Sequence, residues 1–139
     1  MSGKLSPQKE ARIRAEFPKF PFPALTGFKI DKLEYGMARL TVKHRDDLTQ
    51  GAGYLHGGVI SALCDSGVAF ALATMIDGGE DMLTVELKVN FIAPADDDIF
   101  ADAKIIHKGR KTAVGEVEVR KADSTLIAKA LVTYYLNKN

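Results

Sequence analysis

From Leu55 to Ala73 the chain reads as a histidine, two glycines and then a run of almost unbroken small and apolar residues, interrupted by one ionisable carboxylate, Asp65. A helix that is apolar on most of its sides belongs in the middle of a fold, so the remaining chain has to wrap it. A carboxylate in such a helix is expensive unless a partner compensates it or chemistry uses it. The residues alone leave both readings open.

The other 120 or so positions can supply that wrapping: 139 residues suit one ordinary domain with a real core, and 46% of them are hydrophobic against 27% charged. A formal charge of +1 offers no basic surface for nucleic acid, which is therefore not an expected partner. Cys64, the single cysteine, has no internal disulfide partner and fits a reducing, cytoplasmic setting. Met1-Ser2-Gly3-Lys4 leads into a charged segment without the apolar stretch of a signal peptide. Val59–Ile76 is at the short limit for a membrane span, and Asp65 at its centre would oppose insertion by roughly 2.5–3.5 kcal/mol, so no membrane partner is expected.

Patterning divides the chain at about residue 23. Residues 6–17 predict a short helix with Ser6 as N-cap and Pro7 in its first turn. Phe17-Pro18-Lys19-Phe20-Pro21-Phe22-Pro23 then predicts an extended connection laid on the body of the protein by its phenylalanines. Residues 1–23 are thus read as a helix with its Pro/Phe-rich connection, and 24–139 as the main domain. A period of two over 26–36 and 37–44 predicts paired strands around Gly36. The central helix should stop at Asp77-Gly78-Gly79. Leu83, Val85, Leu87, Val89 and Phe91 then alternate with Thr84, Glu86, Lys88 and Asn90. Two further strands flank a turn at Lys108-Gly109-Arg110-Lys111, and 125–136 make a last strand apolar on both faces. The expected fold class is α+β: a meandering, curved antiparallel sheet of about six strands around one long helix, plus the short N-terminal helix. One helix cannot cover both faces of such a sheet, so association through edges or backs is expected.

This order, with Gly53-Tyr54-Leu55-His56-Gly57-Gly58 opening the helix and a carboxylate nine residues after the histidine, resembles the hotdog-fold acyl-CoA thioesterases of the PaaI-like group. Thr84-Val85-Glu86-Leu87-Lys88-Val89-Asn90-Phe91-Ile92-Ala93-Pro94 and the Gly109-Arg110-Lys111 turn are also similar to that group, and the resemblance spans about residues 25–136. It implies hydrolysis of acyl-CoA thioesters, with Asp65 as nucleophile or general base and the Gly57 backbone N–H polarising the carbonyl. It implies supporting places for His56 and Gln50, although many relatives have asparagine where Gln50 stands. Thr84 would orient the attacking water or the carboxylate. Gly58, Asn90, Lys108, Gly109, Arg110 and Lys111 would contact substrate. It further implies a homodimer with composite sites, often paired into a tetramer, and no cofactor beyond the coenzyme A of the substrate.

The residue chemistry is compatible with this. The first N–H groups of a helix are unpaired and carry a partial positive charge. Glycine at 57 and 58 lets a carbonyl approach that backbone, although a tight turn into the helix explains them equally well. Asp65 shares a stripe of mostly small residues with Gly58, Ala62 and Ala69, and its structural alternative is a carboxylate held by backbone donors or an arginine. Lys108, Arg110 and Lys111 could simply be solvated, or could meet the phosphates of coenzyme A. Cys64 is offset by about 100° from Asp65 and reads as a small hydrophobe. His44, His56 and His107 lack metal-ligand spacing, so no metal is expected. Two other functions compete: a non-catalytic acyl-CoA binding or sensing module, and a hotdog hydratase or dehydratase, which pairs histidine and carboxylate at other spacings. Gly57 and Asp65 are roughly 12 Å apart along one helix, which assigns them to different sites and makes a dimer part of the mechanism.

Overall fold

In the computed structural model, which describes residues 3–138, the apolar run forms α3, Gly57–Ala73. At 1.5 Å per residue it is roughly 25 Å long. It stops before the expected glycines because Thr74 ends it: Thr74 Oγ1 donates to Ala71 O (2.6 Å) and accepts the Gly36 N–H (2.7 Å). The helix end is thereby tied to the turn between β1, Lys29–Glu34, and β2, Met37–Val42. Gly36 has φ 75° there, a conformation that favours glycine.

Four more strands follow: β3, Glu80–Phe91; β4, Ile99–Lys108; β5, Thr112–Lys121; and β6, Leu126–Lys138. All pairs are antiparallel, in the order β1-β2-β4-β5-β6-β3. The sheet is therefore curved and antiparallel, as expected, but it is not a meander. The helix carries the chain across the sheet, so β3 emerges on the far edge beside β6, and β4 returns to pair with β2.

Ile60, Leu63, Cys64, Val68, Ala71 and Leu72 are the buried face of α3, set against Leu40, Ala101, Ala103 and Val117 of the sheet. The two approach closely at two points. A Cβ on Gly115 would fall 2.7 Å from both Val68 methyls, and one on Gly67 would fall 3.2 Å from Ala103 Cβ. Close packing of this kind leaves no room for another methyl group.

The two sheet edges differ in kind. β1 is six residues long, carries Lys29, Asp31, Lys32 and Glu34, and has an irregular register between Ile30 and Lys32. Such an edge resists further pairing. β3 is twelve residues long and has exposed Leu83, Val85 and Phe91. Its expected alternation is broken by a bulge: Thr84 pairs with Tyr134 but Glu86 with Thr133, leaving Val85 as the extra residue. One extra residue exchanges the faces of a strand. Leu83 and Val85 are thus 53% and 63% exposed instead of joining Leu87 and Val89 at the core, and Thr84 shares the helix-facing side with Tyr134. The back of the sheet is polar across β2, β4 and β5, where Arg39 forms a two-pronged pair with Asp102 (2.6 and 2.9 Å) and lies over the Phe100 ring.

The N-terminal segment departs from the expected extended connection. After α1, Pro7–Glu16, capped by Ser6 as predicted, come a 3₁₀ turn, Phe17–Lys19, and a short helix α2, Pro21–Thr26, which runs through the boundary placed at residue 23. The prolines begin new turns rather than forcing extension, because a first-turn residue needs no N–H. Phe17 and Phe20 then pack on Phe70 of α3, with centroids 4.7 and 6.1 Å away.

Gly115→Ala is expected to lower stability by about 1–3 kcal/mol in urea unfolding, because Val68 is β-branched and stiff and cannot yield. Val68→Ala introduced beside it should recover part of that loss, giving a favourable coupling in a double-mutant cycle.

Candidate active site

α3 presents two chemical groups at well-separated places. The first is its start. His56 occupies the N-cap position, and its ring Nδ1 accepts the Gly58 N–H at 2.7 Å. Its backbone oxygen accepts from Val59 (2.9 Å) and Ile60 (3.2 Å). The Gly57 N–H is the one donor of this first turn with no partner among the described residues, and the helix dipole adds to its positive character. A Cβ on Gly58 would fall 2.9 Å from His56 Nδ1, so Gly58 makes room for the cap. His56 is therefore positional here, with its ring proton assigned to Nε2 by the bond that Nδ1 accepts.

The Gly57 N–H belongs to an open groove of about 360 Å³ whose other walls include Gln50, Tyr54, Leu55 and Ile60, and Phe91, Ile92 and Pro94 from the end of β3 and beyond. Gln50 Oε1 accepts the Ala52 N–H, which leaves its amide NH₂ to offer a ligand.

The second group is Asp65, half-buried on the side of α3 that faces β3 and β6. Oδ1 accepts two hydroxyls, from Tyr134 at 2.5 Å and Thr84 at 2.9 Å, while Oδ2 has no partner among the described residues. The Tyr134 hydroxyl also lies 3.0 Å from the Asp65 backbone oxygen. The carboxylate is thus aimed by the sheet, and neither an arginine nor a backbone donor satisfies it. Burial, and after it the Asp65 carboxylate, holds the Tyr134 phenol protonated well above its ordinary range. Burial likewise pushes the neighbouring Cys64 thiol up to about 12, which keeps it a thiol and a poor nucleophile.

The structure thus brings Asp65 and Thr84 together, and Gly57, Gly58, His56 and Gln50 together, but not the two sets in one chain. Asn90 lies on the opposite face of β3 from Phe91 and accepts from Lys88 Nζ at 2.6 Å. Lys108, Gly109 and Arg110 lie by the far end of α3, beside Asp77 and Glu80, and Lys111 O accepts the Leu136 N–H at 2.7 Å. The basic turn therefore lies beyond Asp65 from Gly57, bonded to β6 two residues after Tyr134. Tyr134 was missed in the sequence. Its signal was a phenol at a core position of β6, which needs a hydrogen-bond partner in a chain whose central helix holds one ionisable carboxylate. Among the described residues no group of His, Cys, Asp and Glu could hold a metal ion, and no helix is long and apolar enough to cross a membrane.

A family model described as Thioesterase superfamily matches residues 52–128. A protein of Saccharolobus solfataricus carrying a provisional esterase name is 35% identical over 109 residues, which are 78% of this chain and 72% of the relative. The 1,4-dihydroxy-2-naphthoyl-CoA hydrolase of Listeria monocytogenes is 27% identical over 81% of this chain and 92% of its own. A solved thioesterase of Staphylococcus aureus superposes with a TM-score of 0.82 at 28% identity, over 85% of this chain and 99% of that one. That protein has been crystallised with a glutamine and, separately, a glutamate replaced by alanine, fifteen positions apart.

Tyr134 and Cys64 both bind their protons more tightly folded than unfolded, so their contribution is intact below the ordinary values of 10.0 and 9.0 and is lost as pH rises past them. The urea midpoint is expected to fall between about pH 9 and pH 11. Tyr134→Phe should flatten the upper part of that fall, read as a difference in midpoint between the two proteins.

Proposed function

Since the chain belongs to the thioesterase superfamily and has its hotdog fold, we propose that it hydrolyses acyl-CoA thioesters with Asp65 and the Gly57 N–H as the reacting pair. The observation that carries this reading is the state of the two groups: a carboxylate with one oxygen anchored and the other unpartnered, and a helix-start N–H that the cap leaves open. Gln50 and Asp65 are fifteen positions apart, the same spacing as the two residues exchanged in the Staphylococcus aureus thioesterase, which supports a role for both.

In the proposed step the thioester carbonyl accepts from Gly57, and Asp65 Oδ2 takes a proton from water as the water oxygen attacks the carbonyl carbon. The tetrahedral intermediate places its negative oxygen on the same N–H, a donor worth typically about 2.7–4 kcal/mol in such a site. Collapse breaks the carbon–sulfur bond, the departing thiolate recovers the proton from Asp65, and the acid leaves. Direct attack by Oδ2, giving an aspartyl anhydride, uses the same oxygen. A single turnover in oxygen-18 water bears on this: an unlabelled product acid requires an anhydride that water opens at Asp65, whereas a labelled acid arises from water attack on the thioester or on the acyl carbon of the anhydride. Thr84 and Tyr134 hold Oδ1 in either case.

Asp65 and Gly57 complete a site only between two chains. The long β3 edge, with its unpaired backbone and exposed Leu83 and Val85, suits pairing with the same edge of a second copy, whereas β1 is short and charged. The basic turn from Lys108 to Lys111 lies with the Asp65 subunit, where it can meet the phosphates of coenzyme A.

Release of free thiol from a panel of acyl-CoAs tests the activity. Wild type should release it, and Asp65→Asn and Asp65→Ala should lower the rate by about 10²–10⁴ while retaining the fold by circular dichroism. Hydration of an enoyl-CoA without thiol release, or binding without turnover, would replace the proposal with the hydratase or the sensor.

Composite sites predict complementation. Asp65→Asn and Gly57→Val should each be inactive alone, but mixed and refolded together they should regain about a quarter of wild-type activity, because half the dimers are mixed and each has one intact site. An inactive mixture that contains mixed dimers would place both groups in one chain's site.

A further inference from the structure

Gln50 opens a loop tip made of Gly51, Ala52 and Gly53, all of them exposed. The legs of that loop are fixed. Gln50 N–H donates to Tyr54 O (2.8 Å), His56 N–H to Leu48 O (2.9 Å) and Leu55 N–H to Ala95 O (2.9 Å). The tip itself is unpacked at its glycines: a Cβ on Gly51 or Gly53 would meet nothing within 4 Å. Glycines at both positions also leave the tip much conformational freedom to lose. The Gln50 side chain belongs to this tip, because its Oε1 accepts the Ala52 N–H and its backbone oxygen accepts the Gly53 N–H (3.0 Å).

Among the described residues, one hydrogen bond ties Gly51, Ala52 or Gly53 to a residue outside the loop: His44 Nε2 donates to Gly53 O at 2.8 Å. A carbonyl only accepts, which assigns the ring proton to Nε2. His44 lies just past β2, half-buried, and its own N–H donates to Asp98 Oδ1 (2.8 Å), just ahead of β4. Gly53 meets the ring with φ 89°, a conformation open to glycine and costly for other residues. We propose that His44 is a positioning residue for thioester hydrolysis: through the Gly53 carbonyl it holds the tip, and with it the Gln50 amide, at the groove shared with Gly57. This rests on the role proposed above for Gln50. A donor about 1 Å out of place loses much of its effect on a transition state, so a loosened tip lowers the rate without unfolding the protein.

The test compares thiol release from the fastest acyl-CoA of the panel above in wild type, His44→Phe, His44→Gln and Gln50→Ala. His44→Phe keeps a ring without a donor and should lower kcat roughly three- to tenfold, with KM within about twofold. His44→Gln returns an N–H at similar reach and should recover most of that loss. Added to Gln50→Ala, His44→Phe should lower kcat by less than about a further twofold, because the group it positions is gone. Losses that multiply would make His44 a general structural residue and overturn the inference, as would full activity in His44→Phe or Gln50→Ala. Each of those results leaves hydrolysis by Asp65 and Gly57 standing. A second measurement needs no turnover. The Gln50 side-chain amide, identified by its absence from the nitrogen-15 spectrum of Gln50→Ala, should have a lower order parameter in His44→Phe than in wild type. Equal order in the two proteins would refute the tie whatever the protein hydrolyses. Absence of thiol release from wild type would remove the hydrolysis and this role with it, while the order measurement still decides the tie.

Discussion

Val68 of α3 stands so close to Gly115 of β5 that one added methyl group would overlap it, and Gly67 stands nearly as close to Ala103 of β4. Everything else in the structure depends on this seating of helix on sheet. It lets Leu63, Cys64, Ala71 and Leu72 be fully buried, and it fixes the rotation of the helix about its own axis. A helix rolled by one residue would turn Asp65 away from β6. Small residues at these contacts define the position of the helix.

With the helix seated, a single irregularity in β3 aims the carboxylate. The extra residue at Val85 places Thr84 and Tyr134 on the same face, where both hydroxyls reach Asp65 Oδ1. The same irregularity turns Leu83 and Val85 outward on a long sheet edge, where they leave apolar surface exposed. Orientation of the carboxylate and exposure of apolar side chains on this edge thus have one structural origin. The cap acts similarly at the start of the helix: by accepting the Gly58 N–H, His56 leaves Gly57 as the open donor.

The chain was legible where a physical requirement was local. Ser6 as a cap, the turn at Gly36, the basic turn after β4 and the strands over 99–108 and 112–121 follow from capping, left-handed backbone and period-two burial, which neighbouring residues decide. The Pro/Phe-rich stretch reads as extended because proline breaks helix interiors, whereas Pro18 and Pro21 stand in first turns, where they are tolerated. Thr84 was named from family likeness, yet simple alternation placed it with Glu86 and Lys88. A bulge depends on the partner strand, and no local pattern announces it. Tyr134 went unnoticed because its partner is 69 residues away.

From its sequence alone, the chain was bound to bury one apolar helix that contains a carboxylate and opens on two glycines, since water excludes such a surface and no other segment is as apolar. The distance between Gly57 and Asp65 along that helix also follows from the sequence, because helix rise is a property of the backbone. Tertiary structure alone decided which oxygen of Asp65 is held, which N–H of the first turn is open among the described residues, and which sheet edge is long and apolar. Those depend on strand order and on one extra residue at Val85, and both are set by contacts between segments far apart in the chain.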